Sequence, residues 1–234
     1  MKTITLNNGV EMPLQGFGVF QIAPQDCEKA VRNALDVGYR MIDTAQAYYN
    51  EEGVGRAWRA SGMAREELFL VTKVWISNAG DERAAKSIDE SLRKLQTDYI
   101  DLLLIHQPFG DYYGTYRAMQ KALAAGKVRA IGLSNFYDAR FVDLAENMDV
   151  KPAVVQLEAN MFTQQKHAQC NGFLWNASNG MGTAGRRSAR HLYESDTHAN
   201  RCQIRQDGGA NSPALFDGRK HHCDSEVGAP RASS

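Results

Sequence analysis

The stretch MIDTAQAYYNEEGVG, residues 41–55, places a short apolar run directly against a carboxylate and then a phenol five positions further along. The residues before Asp43 have the character of a strand that is buried on both faces. Asp43 and Tyr48 therefore lie at the mouth of a strand, where neither side chain helps to build a core. Polar groups in that position predict a functional site at the carboxyl end of a parallel sheet.

Similar apolar runs recur up to about residue 160 and alternate with helical patterns. The predicted strands are LQGFGVF, YRMIDTA, LFLVTKVW, YIDLLLIHQP, VRAIGLSNF and AVVQLEAN, and the predicted helices span residues 25–37, 50–61, 81–95, 113–125 and 137–147. Ser77 or Asn78 is expected to begin the third helix, and Gly38, Gly62 and Gly126 are each expected to end one. The N-terminal segment MKTITLNNGVEMPL predicts a hairpin around an Asn-Asn-Gly turn.

Strands that alternate with helices across short loops predict a parallel sheet with right-handed crossovers. A doubly wound sheet would normally carry a glycine-rich phosphate turn after its first strand, but GFGVFQIAP lacks the G-x-G-x-x-G pattern. A (β/α)₈ TIM barrel fits better, because polar residues recur at the carboxyl ends of successive strands.

The composition is that of one globular domain with no charge bias. The chain has 234 residues, is 43% hydrophobic and 23% charged, and carries a formal net charge of +0. This balance predicts no nucleic-acid partner and no membrane partner. Four cysteines without paired spacing, together with an N-terminus that lacks a signal peptide's apolar segment, predict a cytoplasmic protein with reduced thiols.

The predicted strand ends offer a set of groups suited to protonating a carbonyl oxygen; they are Asp43, Lys73, His106, Ser134, Asn135, Gln156 and Glu158. A phenol such as Tyr48 is a weak acid at neutral pH, but an adjacent ammonium lowers its pKa. Lys73 is the candidate ammonium, and Asp43 can hold it by an ion pair. His106 could orient the carbonyl as a neutral imidazole. Because no side chain supplies a hydride, a reduction would require a cofactor.

Each of these residues also has an ordinary structural interpretation. Asp43 could cap the second helix, Tyr48 could be a packed loop aromatic, and Lys73 could be a solvated strand end. His106 could be a turn histidine, and Ser134 with Asn135 could form a turn that caps the fifth helix. The functional interpretation depends on their occurring together.

The chain resembles the aldo-keto reductases, a family of NAD(P)H-dependent barrels, over roughly residues 3–167. The resemblance is carried, in order, by GFGVF, DTAQAYYNEEGVG, VTKVW, DLLLIHQP, GKVRAIGLSNF and VVQLEAN. It implies an oxidoreductase that reduces small aldehydes or ketones with NADPH. Such an enzyme is expected to work as a monomer and without a metal.

The same resemblance implies a role for each candidate residue. Tyr48 is the general acid, with Asp43, Lys73 and His106 as the other members of a catalytic tetrad. The groups that bind the nicotinamide end of the cofactor are Asp43, Ser134, Asn135 and Gln156. Phe20 and Trp75, together with His106, line the substrate pocket, although packing is the alternative for the two aromatic side chains.

The sequence changes character at about residue 168, so residues 1–167 are expected to form an incomplete barrel and residues 168–234 a disordered, aberrant tail. The tail has few aliphatic residues and no sustained helix or strand periodicity. Its cysteine, tryptophan and histidine content is unlike that of common disordered segments. Metal binding is disfavoured because His221, His222 and Cys223 are contiguous and lack the loop spacing of a zinc site.

A frameshift near Ala168 to Cys170 explains the tail better. If each tail codon is read one nucleotide later, Met181 followed by Gly182 forces a tryptophan, and the codons up to Arg186 permit Gly-Pro-Leu-Ala. This is the pattern of the family's seventh strand. The codons of residues 216–227 likewise permit Leu-Met-Asp-Gly-Asn-Ile-Ile-Val-Ile-Pro-Lys-Ser, which resembles the eighth strand. We call the chain read in this way the frame-restored chain.

The frameshift has a structural consequence. Strands 1 to 6 of the barrel are recognisable, whereas the last two are missing or replaced by an unrelated tail. The 234-residue chain is therefore expected to be inactive. The alternative is a non-catalytic nucleotide-binding or regulatory protein that retains the barrel, and the complete tetrad disfavours it.

Overall fold

The computed structural model describes residues 2–158 and 178–181. The expected disordered tail, apart from residues 178–181, lies outside these residues. The strands are β1 Thr3–Thr5, β2 Glu11–Pro13, β3 Phe17–Gly18, β4 Met41–Asp43, β5 Phe69–Val74, β6 Ile100–Ile105, β7 Val128–Ser134, β8 Val155–Glu158 and β9 Ser178–Met181. The helices are α1 Pro24–Asp36, α2 Glu51–Ser61, α3 Asp81–Leu95, α4 Tyr112–Ala124 and α5 Asp138–Asn147.

Strands β3 to β9 form one parallel sheet in sequence order. A helix follows each of the strands from β3 to β7, so every crossover returns the chain to the end of the sheet at which the strands begin. This order confirms the predicted (β/α)₈ architecture and excludes a doubly wound sheet, in which the strand order would reverse. Each residue of β5 and β6 is buried, as their continuous apolar character predicts.

The seventh position of the sheet is occupied by four residues of the tail. Strand β9 pairs with β8 from Val155 and Ser178 to Glu158 and Met181. Nothing in the tail's composition predicted this pairing. It is physically reasonable because β8 presents a row of unpaired backbone groups, and hydrogen bonding between backbones requires no particular side-chain pattern.

The predicted N-terminal hairpin is present as β1 and β2, which are antiparallel. Asn7 and Asn8 at its turn donate hydrogen bonds to the carbonyl oxygens of Pro152 (3.2 Å) and Arg129 (2.9 Å). These acceptors lie near the amino ends of β8 and β7. The hairpin thus covers the amino-terminal end of the barrel and leaves the carboxyl ends of the strands as the open side.

A buried carboxylate further braces the amino-terminal end. Asp101, in β6, accepts 2.7 Å hydrogen bonds from Arg65 and Arg129, and one of 2.9 Å from the backbone N–H of Leu70. Both carboxylate oxygens are therefore paired, which offsets the cost of burying the charge. The amino-terminal end of the barrel is thus held by ion pairs and hydrogen bonds, whereas the polar side chains of the predicted site lie at the carboxyl end.

The predicted span of the third helix, residues 81–95, is confirmed, but its predicted capping residue is wrong. Helix α3 begins after Gly80, which has φ 106°, and not after Ser77 or Asn78, which lie in a 3₁₀ turn. Helix α3 has no side-chain cap, and Asn78 Nδ2 donates a 2.9 Å hydrogen bond to the side chain of Gln46. The predicted end of α2 is confirmed, since Gly62 caps it in the left-handed conformation.

The glycine that ends the opening stretch has a packing role. A Cβ atom on Gly55 would lie 2.3 Å from the backbone oxygen of Lys94. Only glycine therefore allows α2 to approach the end of α3 this closely, and this contact fixes the helix that follows the Tyr48 turn.

Candidate active site

The predicted site residues meet at the carboxyl end of the sheet. Asp43 ends β4, Lys73 lies one residue before the end of β5, and His106 directly follows β6. Ser134 ends β7 and pairs in register with Gln156 of β8. Because neighbouring parallel strands place their carboxyl ends side by side, residues more than 100 positions apart in sequence share one surface.

A buried ion pair forms the base of the site. The Lys73 side chain is 0% exposed, makes an ion pair with Asp43, and donates a 3.0 Å hydrogen bond to the Thr44 carbonyl oxygen. Burial lowers the pKa of Lys73, but the negative charges of Asp43 and ionised Tyr48 outweigh burial and leave the pKa above its ordinary value. Lys73 therefore carries its positive charge at neutral pH and is not a solvated strand end.

Tyr48 stands over this ion pair. It lies in the 3₁₀ turn Gln46–Tyr48, and its ring centroid is 5.2 Å from Lys73 Nζ. Burial raises the pKa of Tyr48, while the Lys73 charge lowers it, and the net direction is upward. The expectation that the ammonium lowers the phenol's pKa is correct for its own contribution but wrong for the net pKa, because loss of hydration penalises the phenolate more.

His106 is buried against two aromatic rings. It is 6% exposed, and its ring centroid lies 4.9 Å from that of Trp75 and 5.5 Å from that of Tyr48. Burial and the charge of Lys73 lower the pKa of His106 to about 3. At neutral pH the imidazole is therefore uncharged and keeps one N–H for donation.

The low pKa of His106 predicts a pH-dependent loss of stability. Below the ordinary pKa of 6.5 the unfolded chain takes up a proton that the folded chain resists until about pH 3. The contribution of neutral His106 to the free energy of unfolding is therefore intact above pH 6.5 and is lost as the pH falls. The test compares the frame-restored chain with its His106→Gln variant. Between the two pKa values of His106, the frame-restored chain should lose about 1.4 kcal/mol more unfolding free energy per pH unit than the variant.

Urea unfolding of the frame-restored chain and of its His106→Gln variant at several pH values between about 4 and 6 measures this difference. Taking the difference cancels the carboxylates that both proteins share. Equal slopes in the two proteins would contradict a neutral, buried His106.

The side chains predicted to bind the cofactor form hydrogen bonds with one another. Gln156 Nε2 donates a 2.7 Å hydrogen bond to Asp43 Oδ2. Asn135 Nδ2 donates to the His106 carbonyl oxygen (3.0 Å) and to Ser134 Oγ (3.1 Å). The alternative in which Asp43 merely caps a helix is therefore wrong, since both of its oxygens are engaged within the site.

Two buried polar atoms in the site lack a hydrogen-bond partner within the described part of the chain. They are Gln156 Oε1 and His106 Nδ1. Buried polar groups are nearly always paired, so unpaired ones at a strand-end surface point to a ligand that supplies the partner. An amide N–H₂ is one group that would satisfy Gln156 Oε1.

Both predicted wall residues flank the tetrad. The ring centroid of Phe20 lies 5.0 Å from that of Tyr48, and Phe20 is 46% exposed. Trp75 contacts His106 from the other side. Phe20 is thus partly exposed beside Tyr48, and its place in the substrate pocket stays a prediction.

A cavity of about 490 Å³ opens beside the same mouth, between the loops that follow β6 and β7. Its lining residues are Gln107, Pro108, Phe109, Asn135, Tyr137, Ala139 and Arg140. Its volume lies in the range of small-molecule sites. It shares Asn135 with the candidate cofactor groups.

Supporting residues in the opening stretch were not predicted as functional. Buried Asn50 donates to the carbonyl oxygens of Val19 (3.0 Å) and Ile22 (3.1 Å) and accepts a 2.7 Å hydrogen bond from Thr44. It thereby ties the loop that carries Phe20 to the loop that carries Tyr48. The signal was available in the sequence, because Asn50 lies within DTAQAYYNEEGVG, but its partners are distant in sequence.

Residues 2–158 and 178–181 contain neither a metal-binding cluster nor a membrane-spanning helix. In this part of the chain no cluster of three or more histidine, cysteine, aspartate or glutamate side chains could hold a metal ion. Likewise, no helix within it is long and apolar enough to cross a membrane.

The fold and the site define a (β/α)₈ protein that has a buried ion pair, a phenol and a neutral imidazole together at the carboxyl end of its sheet. The sequence profile of the Aldo/keto reductase family matches residues 15–187. The chain therefore belongs to the aldo/keto reductase family. This match ends 20 residues beyond the boundary at residue 167 that motif resemblance predicted.

Relatives of known name agree with this assignment. The chain is 45% identical over 174 residues to the glyoxal reductase of Bacillus subtilis (strain 168), an alignment that covers 73% of this chain and 63% of the relative. The chain thus spans less than two thirds of the length of that protein.

Solved structures show the same fold. An aldo/keto reductase from Brucella melitensis superposes with a TM-score of 0.75 at 42% identity, over 77% of this chain and 72% of that one. An aldo-keto reductase from Bombyx mori, solved in complex with NADP, gives a TM-score of 0.74 at 34% identity, over 81% of this chain and 68% of that one.

Proposed function

We propose that the barrel encoded here reduces small aldehydes or ketones to alcohols with NADPH, and that Tyr48 is the proton donor. The observation that carries this proposal is the fully buried, charged Lys73 held between Asp43 and Tyr48. Burying a charge is costly unless it is paired. Its position beneath a phenol at the mouth is explained if the charge acts on that phenol.

Each tetrad residue has a defined part in this reaction. Tyr48 stays protonated at neutral pH and donates its proton to the carbonyl oxygen. The Lys73 charge stabilises the phenolate that this transfer leaves, and Asp43 keeps Lys73 in place. Neutral His106 donates a hydrogen bond that orients the carbonyl oxygen near Tyr48.

The nicotinamide end of the cofactor fits the groups at the ends of β7 and β8. Gln156 Oε1 is a buried acceptor without a partner among the described residues, and a carboxamide N–H₂ would supply one. Ser134 and Asn135 lie next to Gln156 and would complete the contacts to the carboxamide. When bound, NADPH supplies the hydride that no side chain can provide.

The substrate is proposed to be a small carbonyl compound. Glyoxal is a reasonable first assay substrate, since the Bacillus subtilis relative is a glyoxal reductase. Phe20 and Trp75 would contact the substrate beside the reacting carbonyl. We also propose a monomeric, cytoplasmic protein, which size-exclusion chromatography and cell fractionation would test.

We further propose that residues from about 168 onward arise from a shifted reading frame and that the 234-residue chain is inactive for this reason. The groups that would grip the far end of NADPH are then encoded only in the frame-restored chain. Frame-restored protein should oxidise NADPH when glyoxal or another small aldehyde is added, whereas the 234-residue chain should not.

The experiment compares the two chains by sequencing, thermal melting and NADPH fluorescence. An independent sequence read without a shift, together with NADPH-dependent reduction by the 234-residue chain, would refute the frameshift. A frame-restored chain that folds and binds NADPH but reduces none of a panel of aldehydes and ketones would refute the proposed activity and would support a non-catalytic nucleotide-binding protein.

A further inference from the structure

Gln46, two residues before Tyr48, uses every hydrogen bond that its side chain can make. Its Oε1 accepts 2.9 Å hydrogen bonds from the Trp75 backbone N–H and from Asn78 Nδ2. Its Nε2 donates to the Ser87 carbonyl oxygen (3.2 Å) and to Ser91 Oγ (3.1 Å). A primary amide has two acceptor sites and two N–H groups, so none is left over.

The orientation of this amide is determined by its partners. The Trp75 N–H can only donate and the Ser87 carbonyl can only accept, so exchanging the amide oxygen and nitrogen would lose both hydrogen bonds. The amide therefore has one favourable orientation. A side chain held by four directed bonds is well suited to fixing the turn to which it belongs.

These bonds join the Tyr48 turn to the strand that supplies Lys73. Trp75 follows Lys73 by two residues and contacts His106 with its ring. Ser87 and Ser91 lie on α3. By contrast, the backbone hydrogen bonds within the turn are local, from the Tyr48 N–H to Ala45 O (3.0 Å) and from the Tyr49 N–H to Gln46 O (3.3 Å).

We infer that Gln46 is a positioning residue for catalysis, which sets the height of the Tyr48 hydroxyl above Lys73 and beside His106. None of the four side-chain hydrogen bonds of Gln46 goes to a member of the tetrad, so Gln46 acts through the backbone of the turn. The inference rests on the proposed function, since it assigns Gln46 to the same proton transfer. Small misplacements of a reacting group lower the rate steeply, by roughly 10²-fold for 1 Å.

The test uses Gln46→Met in the frame-restored chain, because methionine has a similar length and makes none of the four hydrogen bonds. We expect kcat to fall by about 10- to 100-fold, with little change in NADPH affinity. Ser77→Ala is the matched control, since Ser77 and Gln46 line one small cavity of about 150 Å³ but share no hydrogen bond among those described. Its kcat should match that of the parent.

The kinetics of a double variant distinguish positioning from a purely structural role, and hydrogen exchange checks the hydrogen bond between the Trp75 amide and Gln46 itself. In the Gln46→Met background, Tyr48→Phe should cost much less than it does in the parent, because the phenol is already misplaced. The amide of Trp75 should also lose hydrogen-exchange protection. A lowered melting temperature with unchanged kcat, or full additivity of the two substitutions, would overturn the inference.

Failure of the proposed function has a different signature. If the frame-restored chain reduces no carbonyl compound, the activity is refuted, and hydrogen exchange alone decides whether Gln46 holds the turn. Unchanged protection of the Trp75 amide in Gln46→Met would then overturn the role of Gln46 as well.

Discussion

Replacing Tyr48 with phenylalanine in the frame-restored chain should lower kcat for carbonyl reduction by about 10²- to 10⁴-fold, the usual contribution of general acid catalysis. The phenylalanine ring keeps the contacts with Phe20 and His106 but has no proton to donate. NADPH affinity should be nearly unchanged. Steady-state kinetics and fluorescence titration of NADPH measure the two quantities separately.

The neighbouring phenol provides a matched control. Tyr49 is 80% exposed and points away from the core, so Tyr49→Phe should retain the parent's kcat. A Tyr48→Phe variant with near-parental turnover would show that another group donates the proton.

Replacing Lys73 with methionine should be almost as damaging, and it should also destabilise the fold. The substitution leaves Asp43 without its cationic partner at a largely buried position, which typically costs about 3–5 kcal/mol. It also removes the charge that lowers the pKa of Tyr48. The alkaline limb of the pH–rate profile, above which Tyr48 has lost its proton, should therefore move to higher pH.

A double variant separates these two effects. Asp43→Asn combined with Lys73→Met removes both charges, so much of the unfolding free energy should return while the activity does not. Its alkaline limb should move less than that of Lys73→Met, since the Asp43 charge that raises the pKa of Tyr48 is also gone. Recovery of activity in the double variant would show that Lys73 has only a structural role.

Local patterns predicted most of the architecture. Burial of β5 and β6 on both faces follows from continuous apolar runs, and the helix after each strand follows from its own periodicity. The expectation that Asp43, Lys73 and His106 lie together at one end of the sheet is likewise met. These predictions succeeded because strand and helix formation, and the direction of parallel strands, depend on nearby residues.

The predictions that failed involve energies or contacts between distant segments. The net pKa of Tyr48 depends on how much hydration its ring and hydroxyl lose, which no spacing reveals. Asn78 lies in a 3₁₀ turn before α3 and not at its cap, and its Nδ2 donates to Gln46, 32 positions away. Strand β9 forms through backbone pairing with β8 and leaves no trace in side-chain pattern.

The order of strands and the barrel class could therefore be predicted from local periodicity and motifs. The catalytic roles of the four tetrad residues came from the family resemblance and stay predictions. The protonation state of those residues could be assigned only once their burial and their partners were known. Burial keeps Tyr48 protonated and His106 neutral, and ion pairing keeps Lys73 charged. The hydrogen bonds of Gln46 join the Tyr48 turn to the segment after β5 and to α3. Only the tertiary structure brings these segments together, because a directed bond requires partners within about 3 Å in space, whatever their distance in sequence.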